Sequence, residues 1–356
     1  MVVVCVDMKN KLRSFLCVFL AVCMVTLGVL SVSERVSMCF NLGSDTALAA
    51  AYLMMPNGEF SGDDNSVNGK IAEEKALDKN NTETKTQKAK NTTVDISEPT
   101  YPIEEIDLSS ENKLYDNVAL KNSTGYTVDV KKELSENLPF EIKDGRSTQV
   151  LIVHTHSCES YMDSDCGYYT ESFYPRTTDN EQNITAVGEA ISKSLKENGI
   201  GVVHATTQHD NPSYDGAYSR SYDTIMGYLD KYKDIKVVLD IHRDSMTTDS
   251  GSRLKPTFYY NGQKAAQIMI MTGYDSSYSH FPMWEENLNF ALKLQNTCES
   301  MYQGMTRPLN FGEFTYNMNV NSGSLLIEVG TDANTLSEAV LTGELLGNAL
   351  SEVLQN

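Results

Sequence analysis

The chain has 356 residues, 40% of them hydrophobic, and a formal net charge of −19 at pH 7. That length is enough to bury a core in one to three domains. The acidic excess excludes a nucleic-acid partner, which would need a basic face to neutralise phosphates. Of the seven cysteines, Cys158, Cys166 and Cys298 fall in the region read below as folded, and an odd number cannot complete a disulfide framework there. Cys158 and Cys166 are close enough in sequence to pair in an oxidising compartment, but nothing in the sequence requires it.

Residues 1–13 read as a short cytoplasmic tail carrying Lys9, Lys11 and Arg13, and residues 14–32 (SFLCVFLAVCMVTLGVLSV) contain no charged side chain. A helix needs about 20 such residues to cross a bilayer core. Basic residues before the segment and Glu34 after it set the N-terminus inside and the rest outside the cell. The expectation is a single-pass anchor in the cell membrane. The alternative is a cleaved signal peptide, whose apolar region is typically ~7–15 residues. The small-residue stretch Ala47 to Met55 is a candidate for later processing.

Residues 33–144 read as a flexible extracytoplasmic linker, because runs such as EEKALDKNNTETKTQKAKNTTVD offer too little apolar surface to offset the entropy of ordering. Such a stalk suits a polymeric substrate reached from a membrane tether. Residues 145–356 change texture. Short apolar runs at 150–154, 200–206, 235–242, 265–273 and 324–330 alternate with helical patterns at 183–198, 218–231, 284–302 and 335–354. This alternation predicts an α/β domain with a mainly parallel twisted sheet flanked by helices. No internal repeat is visible.

In such a sheet, ligands bind at the carboxyl ends of strands. Three strand ends carry suitable chemistry: HTHSCESY with His154, His156 and Glu159; DIHRDS with Asp240, His242, Arg243 and Asp244; and IEVGTDANT with Glu328. Histidines and carboxylates are the donors of a catalytic zinc site, with one position left for water. On an extended chain, residues two apart project to the same side, so His154 and His156 are expected to face one metal or substrate together. Glu328 follows the apolar run SLLI, where a carboxylate must be paired, solvated at the strand end, or functional. Beside a metal-bound water it would serve as general base. The competing reading of each residue is a hydrogen-bonded polar group at a strand end. His209 sits in a turn-rich loop as a candidate cleft residue, while His204 and His280 read as structural or solvated. Cys158 raises a Cys/His nucleophile as a further alternative.

Four collinear stretches, VLIVHTHSCESY, NITAVGEAISKSLKENGIGVVHATTQHDNPSYDGAYSRSY, IKVVLDIHRDS and SLLIEVGTDANTLSEA, resemble the stage II sporulation protein P family over residues 145–356. That family is similar to zinc-dependent N-acetylmuramoyl-L-alanine amidases and is also credited with endopeptidase activity on peptide cross-links. The resemblance implies a Zn2+ cofactor held by His156, a middle carboxylate and His242, with Glu328 catalytic and Asn334 matching the Asn that follows it. Glu181, at the head of the helix that ends at Gly199, is the expected middle ligand, with Glu159 as the alternative. His154 ligates instead of or beside His156. Arg243 and Asp244 are expected to orient ligands or touch the glycan-peptide substrate. The resemblance further implies a mother-cell enzyme that thins septal peptidoglycan during engulfment, with stage II sporulation proteins D and M as partners. A catalytically inactive peptidoglycan-binding scaffold is the alternative function.

Overall fold

The computed structural model describes residues 98–110, 112–143 and 147–355. The expected tail at 1–13, the anchor at 14–32 and the linker up to residue 97 lie outside the described residues. Among the described residues no helix is long and apolar enough to cross a membrane.

In chain order the elements are β1 (Thr100–Ile106), β2 (Leu120–Asn122), α1 (Val130–Ser135), β3 (Val150–Val153), β4 (Tyr168–Thr170), α2 (Ile184–Glu197), β5 (Val202–His204) and α3 (Ala217–Lys231). They continue with β6 (Val237–Asp244), β7 (Arg253–Tyr260), β8 (Gln263–Ala266), β9 (Ile268–Gly273), α4 (Trp284–Met301), β10 (Leu309–Gly312), a 3-10 turn (Met318–Val320), β11 (Ser324–Thr331) and α5 (Leu336–Gln355). The larger sheet has seven strands in the order β2-β10-β9-β11-β6-β3-β5. Neighbouring strands are parallel except β9 and β11, which are antiparallel. The mainly parallel sheet is therefore present, with its hand of travel reversed at one junction. A second sheet, β4-β1-β7-β8, has four strands and was not expected from the sequence pattern.

All four residues of β3 are buried, as a strand covered on both faces requires. Leu151 and Val153 pack with Ile225 of α3 and Val238 of β6, while alternation turns Val150 and Ile152 to the opposite face. Each fully buried aliphatic chain of this kind contributes about 1.5–3 kcal/mol. Helix α2 starts at Asn183, whose side chain accepts a hydrogen bond from Thr185 N. Helix α5 starts at a capping box: Glu338 Oε2 accepts from Thr335 N at 3.0 Å and Thr335 Oγ1 accepts from Glu338 N at 3.3 Å. The two helices approach closely, with Ser194 Oγ donating to Glu344 O at 3.1 Å.

The apolar run at 265–273 is divided between the sheets. Gln267 is the pivot: its fully buried amide donates to Asp107 Oδ1 and Gly304 O and accepts from Leu108 N, each at 2.8 Å. On one side of it β8 pairs with β7, and on the other β9 enters the large sheet.

The linker expected over 33–144 is corrected at its C-terminal end. Residues 98–143 are folded into one compact unit that begins at Val94. Strand β1 pairs in parallel with β7 and antiparallel with β4, and β2 pairs with β10. Asn289 and Lys293 of α4 donate to the Glu133 and Leu134 carbonyls of α1. The physical reason is that these strands are held through backbone hydrogen bonds, which a polar, half-exposed sequence supplies as well as an apolar one.

Candidate active site

The site is organised by β6. Residues 240, 242 and 244 alternate with Ile241 and Arg243, so Asp240, His242 and Asp244 share one side of the strand. Asp240 is anchored first: its Oδ1 accepts from Thr155 N at 2.8 Å and its Oδ2 from Thr155 Oγ1 at 2.6 Å. His242 Nε2 lies 2.9 Å from Asp240 Oδ1, close enough for charge attraction but without hydrogen-bond alignment. Burial by itself would lower the His242 pKa. The Asp240 carboxylate, helped by Glu159 and Glu328, outweighs it and lifts the value to about 10. On the neighbouring strand Glu328 pairs in register with His242. Burial, and then repulsion by Asp244, push the Glu328 pKa up to about 8.

The two histidines of the HTH motif separate. Strand β3 ends at Val153, and residues 155–158 form a turn, so the extended-chain rule that would align His154 with His156 does not apply. His154 is fully buried, with Nδ1 donating to Ile241 O at 2.9 Å and Nε2 2.9 Å from His204 Nε2. Both of its ring nitrogens are engaged, which removes it as a metal ligand. His204, read as structural, is tied in turn to Glu189 at 3.1 Å. His156 faces the other way: its ring centroid is 5.4 Å from that of His242, at 84°. Burial and then the His242 charge hold its pKa down at about 3, so the ring is neutral.

Among the acidic candidates, Glu159 joins this cluster. It is buried, its Oε2 accepts from Arg243 N at 3.2 Å, and the same atom lies 3.8 Å from His242 Nδ1. Glu181 is exposed in the turn before α2, where its backbone N donates to Asp179 Oδ1. It makes none of the contacts that join the two imidazoles. Asp244 is bound by Arg307 at 2.9 Å, and burial followed by the Asp332 charge raises its pKa to about 7. Arg243 does not enter the cluster with its guanidinium, which donates to Ser160 O and Pro175 O and clamps the loop carrying Glu159. Asn334 is fully buried as a turn lock, accepting from Thr331 N and donating to Pro256 O and Glu338 Oε2.

Other readings are resolved by the same contacts. Burial, with Asp210 alongside, pushes the Cys158 thiol up to about 12, which disfavours the thiolate a Cys/His nucleophile would need. Cys158, Cys166 and Cys298 are all free thiols. His209 is buried between His154 O and Thr224 Oγ1, a brace and not a cleft residue. The sequence reading named Asp240 at its strand end but passed over its role beside His242, although the spacing of two on a strand was available. It also passed over the aromatic walls. Tyr214 stacks on His156 at 4.2 Å and 3°, with the Arg176 guanidinium 5.2 Å from its ring centre. Tyr218 stacks on His242 at 6.4 Å and 13°. Arg176 is ion-paired with Asp210, whose carboxylate also accepts from Cys158 N and Ser157 Oγ. No local pattern marks these tyrosines, which lie more than fifty residues from His156.

His156 Nδ1 and Glu328 Oε2 are buried atoms without a hydrogen-bond partner, while His242 turns Nε2 to Asp240 and Nδ1 toward Glu159 at 3.8 Å. Imidazole nitrogens and carboxylate oxygens are donor types that fit a divalent cation of the zinc type. Among the described residues no three His, Cys, Asp or Glu side chains are already drawn into a metal-ready group.

Comparison with known proteins gives three kinds of relative. The stage II sporulation protein P of Bacillus subtilis (strain 168) is 28% identical over 225 residues, covering 59% of this chain and 52% of the relative, so the match spans about half the relative's length. The CwlD amidase of Clostridioides difficile, solved in complex with the GerS lipoprotein, is 10% identical with a TM-score of 0.35, over 58% of this chain and 99% of that one. The N-acetylmuramoyl-L-alanine amidase AmiC2 of Nostoc punctiforme is 12% identical with a TM-score of 0.33, over 58% and 95%. The family model of stage II sporulation protein P matches residues 43–351, most of the chain, and the chain belongs to that family.

Proposed function

We propose that this protein hydrolyses the amide bond between the lactyl group of muramic acid and the first L-alanine of peptidoglycan. In this reading a zinc ion is held by His156 and His242, with Glu159 as the third protein donor. The observation that carries the reading is the register of Glu328 against His242, with His156 beside them and unpartnered buried atoms on His156 and Glu328. When bound, the ion supplies Lewis-acid polarisation of the scissile carbonyl and lowers the pKa of its water toward ~7. Glu328 takes the proton from the attacking water at Oε2 and passes it to the departing amide nitrogen. Asp240, fixed by Thr155, holds the His242 ring in place. Peptide cross-links are a second amide class on which the same residues would act.

The wider reading is a membrane-anchored enzyme of the mother cell that thins the septal wall during sporulation, together with stage II sporulation proteins D and M. The competing reading is a scaffold that binds peptidoglycan without cutting it, favoured by the lack of a preassembled three-donor group among the described residues. Incubation of the full chain with purified peptidoglycan, with zinc or with chelator, separates the two. The hydrolase releases free stem peptides only with zinc, and Glu328→Gln lowers the rate by about 100-fold or more, the scale of a lost acid-base group. Binding without release under every condition supports the scaffold.

A further inference from the structure

Beside the proposed centre, the chain holds two consecutive non-glycine residues in the left-handed region, Tyr316 at φ 38° and Asn317 at φ 59°. Asparagine tolerates this conformation, but a bulky aromatic residue does so only under constraint. The constraint is visible: Asn317 Nδ2 donates to Tyr218 O at 2.9 Å and to Ser221 Oγ at 3.0 Å, pinning the turn to α3. Met318 N donates to Thr315 O at 2.7 Å and closes it. The strained turn presents the Tyr316 ring against Tyr218, 5.3 Å between centroids at 29°, and against Phe314, 5.2 Å at 29°.

Core burial does not account for this arrangement, because Tyr316 remains 37% exposed. Strained backbone that persists around a half-exposed side chain is characteristic of ligand clamps. Phe314, Tyr316 and Tyr218 form a continuous uncharged aromatic strip that ends at His242, on which Tyr218 stacks. A flat, partly exposed aromatic surface suits the apolar face of a neutral sugar ring.

We infer that Tyr316, braced by Tyr218 and Phe314, seats an N-acetylated pyranose ring of the glycan strand next to His242. This inference rests on the peptidoglycan reading for its substrate, but its test does not depend on cleavage. Titration calorimetry of the full chain with triacetylchitotriose, which carries no peptide, and in parallel with a free stem tripeptide, measures the two halves of the substrate separately. The saccharide binds the native protein, and Tyr316→Ala weakens it by about fivefold, the order of one aromatic contact, while Tyr316→Trp restores it. Tyr316→Gly also loses the saccharide while keeping or raising the melting temperature, because glycine carries no penalty at positive φ. On intact peptidoglycan Tyr316→Ala and Tyr316→Gly raise KM and leave kcat unchanged, and Tyr316→Trp keeps KM near the native value. The inference is overturned if the native protein does not bind the saccharide, if binding is indifferent to Tyr316, or if the tripeptide alone depends on it. Saccharide binding that depends on Tyr316, in a protein that cleaves nothing, would leave this inference standing and overturn the hydrolase.

Discussion

Glu328 and His242 sit opposite each other on adjacent strands, and burial acts on both. For Glu328 burial prevails, with Asp244 adding to it, and the pKa rises from 4.5 to about 8. For His242 the attraction of Asp240 prevails, and the pKa rises to about 10. The stability consequence for Glu328 has a definite sign. Its folded-state pKa exceeds its unfolded one, so the stability its neutral form contributes is complete below 4.5 and is lost as pH rises through about 8. Glu328→Gln, neutral throughout, is therefore expected to raise the melting temperature of the chelator-treated protein increasingly between those two values. Thermal melts at a series of pH values check this, and a gain independent of pH would count against a raised pKa. At this scale the sequence reading gathered His156, His242 and Glu328 into one candidate site, and the fold brings them side by side. It misjudged His154, because its two-residue spacing has meaning only while the strand continues, and the strand stops at Val153.

Helix α2 shows how an element is fixed by what it touches. Gly188 lies inside the helix, where alanine would be preferred by ~1 kcal/mol on propensity. A Cβ there would stand 2.5 Å from His154 Nε2 and 2.6 Å from His204 Nε2. Neither ring is free to yield, since His154 is hydrogen-bonded to Ile241 O and His204 to Glu189. Gly188→Ala is thus expected to destabilise the protein by about 1–3 kcal/mol, the cost of overpacking a core, against the propensity gain. Chemical denaturation of the variant reads this directly, and a more stable variant would mean that the histidine pair moves without cost. The main helices appear within a residue or two of their apolar periodicity, because each buries one stripe. Strands β1, β2, β4, β7 and β10 were missed, and β8 only overlaps the expected run at 265–273. Their residues mix lysine, proline, glutamine and asparagine with apolar ones, and Lys255 is buried only because Asp165 and Glu338 pair with it at 2.8 and 2.7 Å.

Across the whole described unit, the segment at 98–143 completes both sheets. Without it β7 loses its neighbour β1, β10 loses β2, and α4 loses the α1 carbonyls. Unpaired strand edges of this kind are templates for aggregation. A chain that begins at residue 145 is expected to melt lower and to aggregate more than one that begins at residue 94, where the compact unit starts. Comparing the two by calorimetry and light scattering tests this. Equal melting temperatures would show that β1 and β2 are appended to an independently stable sheet.

The sequence by itself determined the α/β class, the five apolar runs and the helices between them, since burial of one stripe or one strand is a local, periodic property. It also determined which residue types gather at the strand ends, and through four collinear motifs it identified the family. Only the tertiary structure decided which side chains meet. Strand order sets Glu328 against His242, and a turn after β3 sends His154 to His204 and His156 to the tyrosine walls. The Asn317 anchor on α3 brings Tyr316 to Tyr218 across nearly a hundred residues of chain. These are pairings between distant segments, governed by register, direction and charge, and one sequence read along its length carries no record of them.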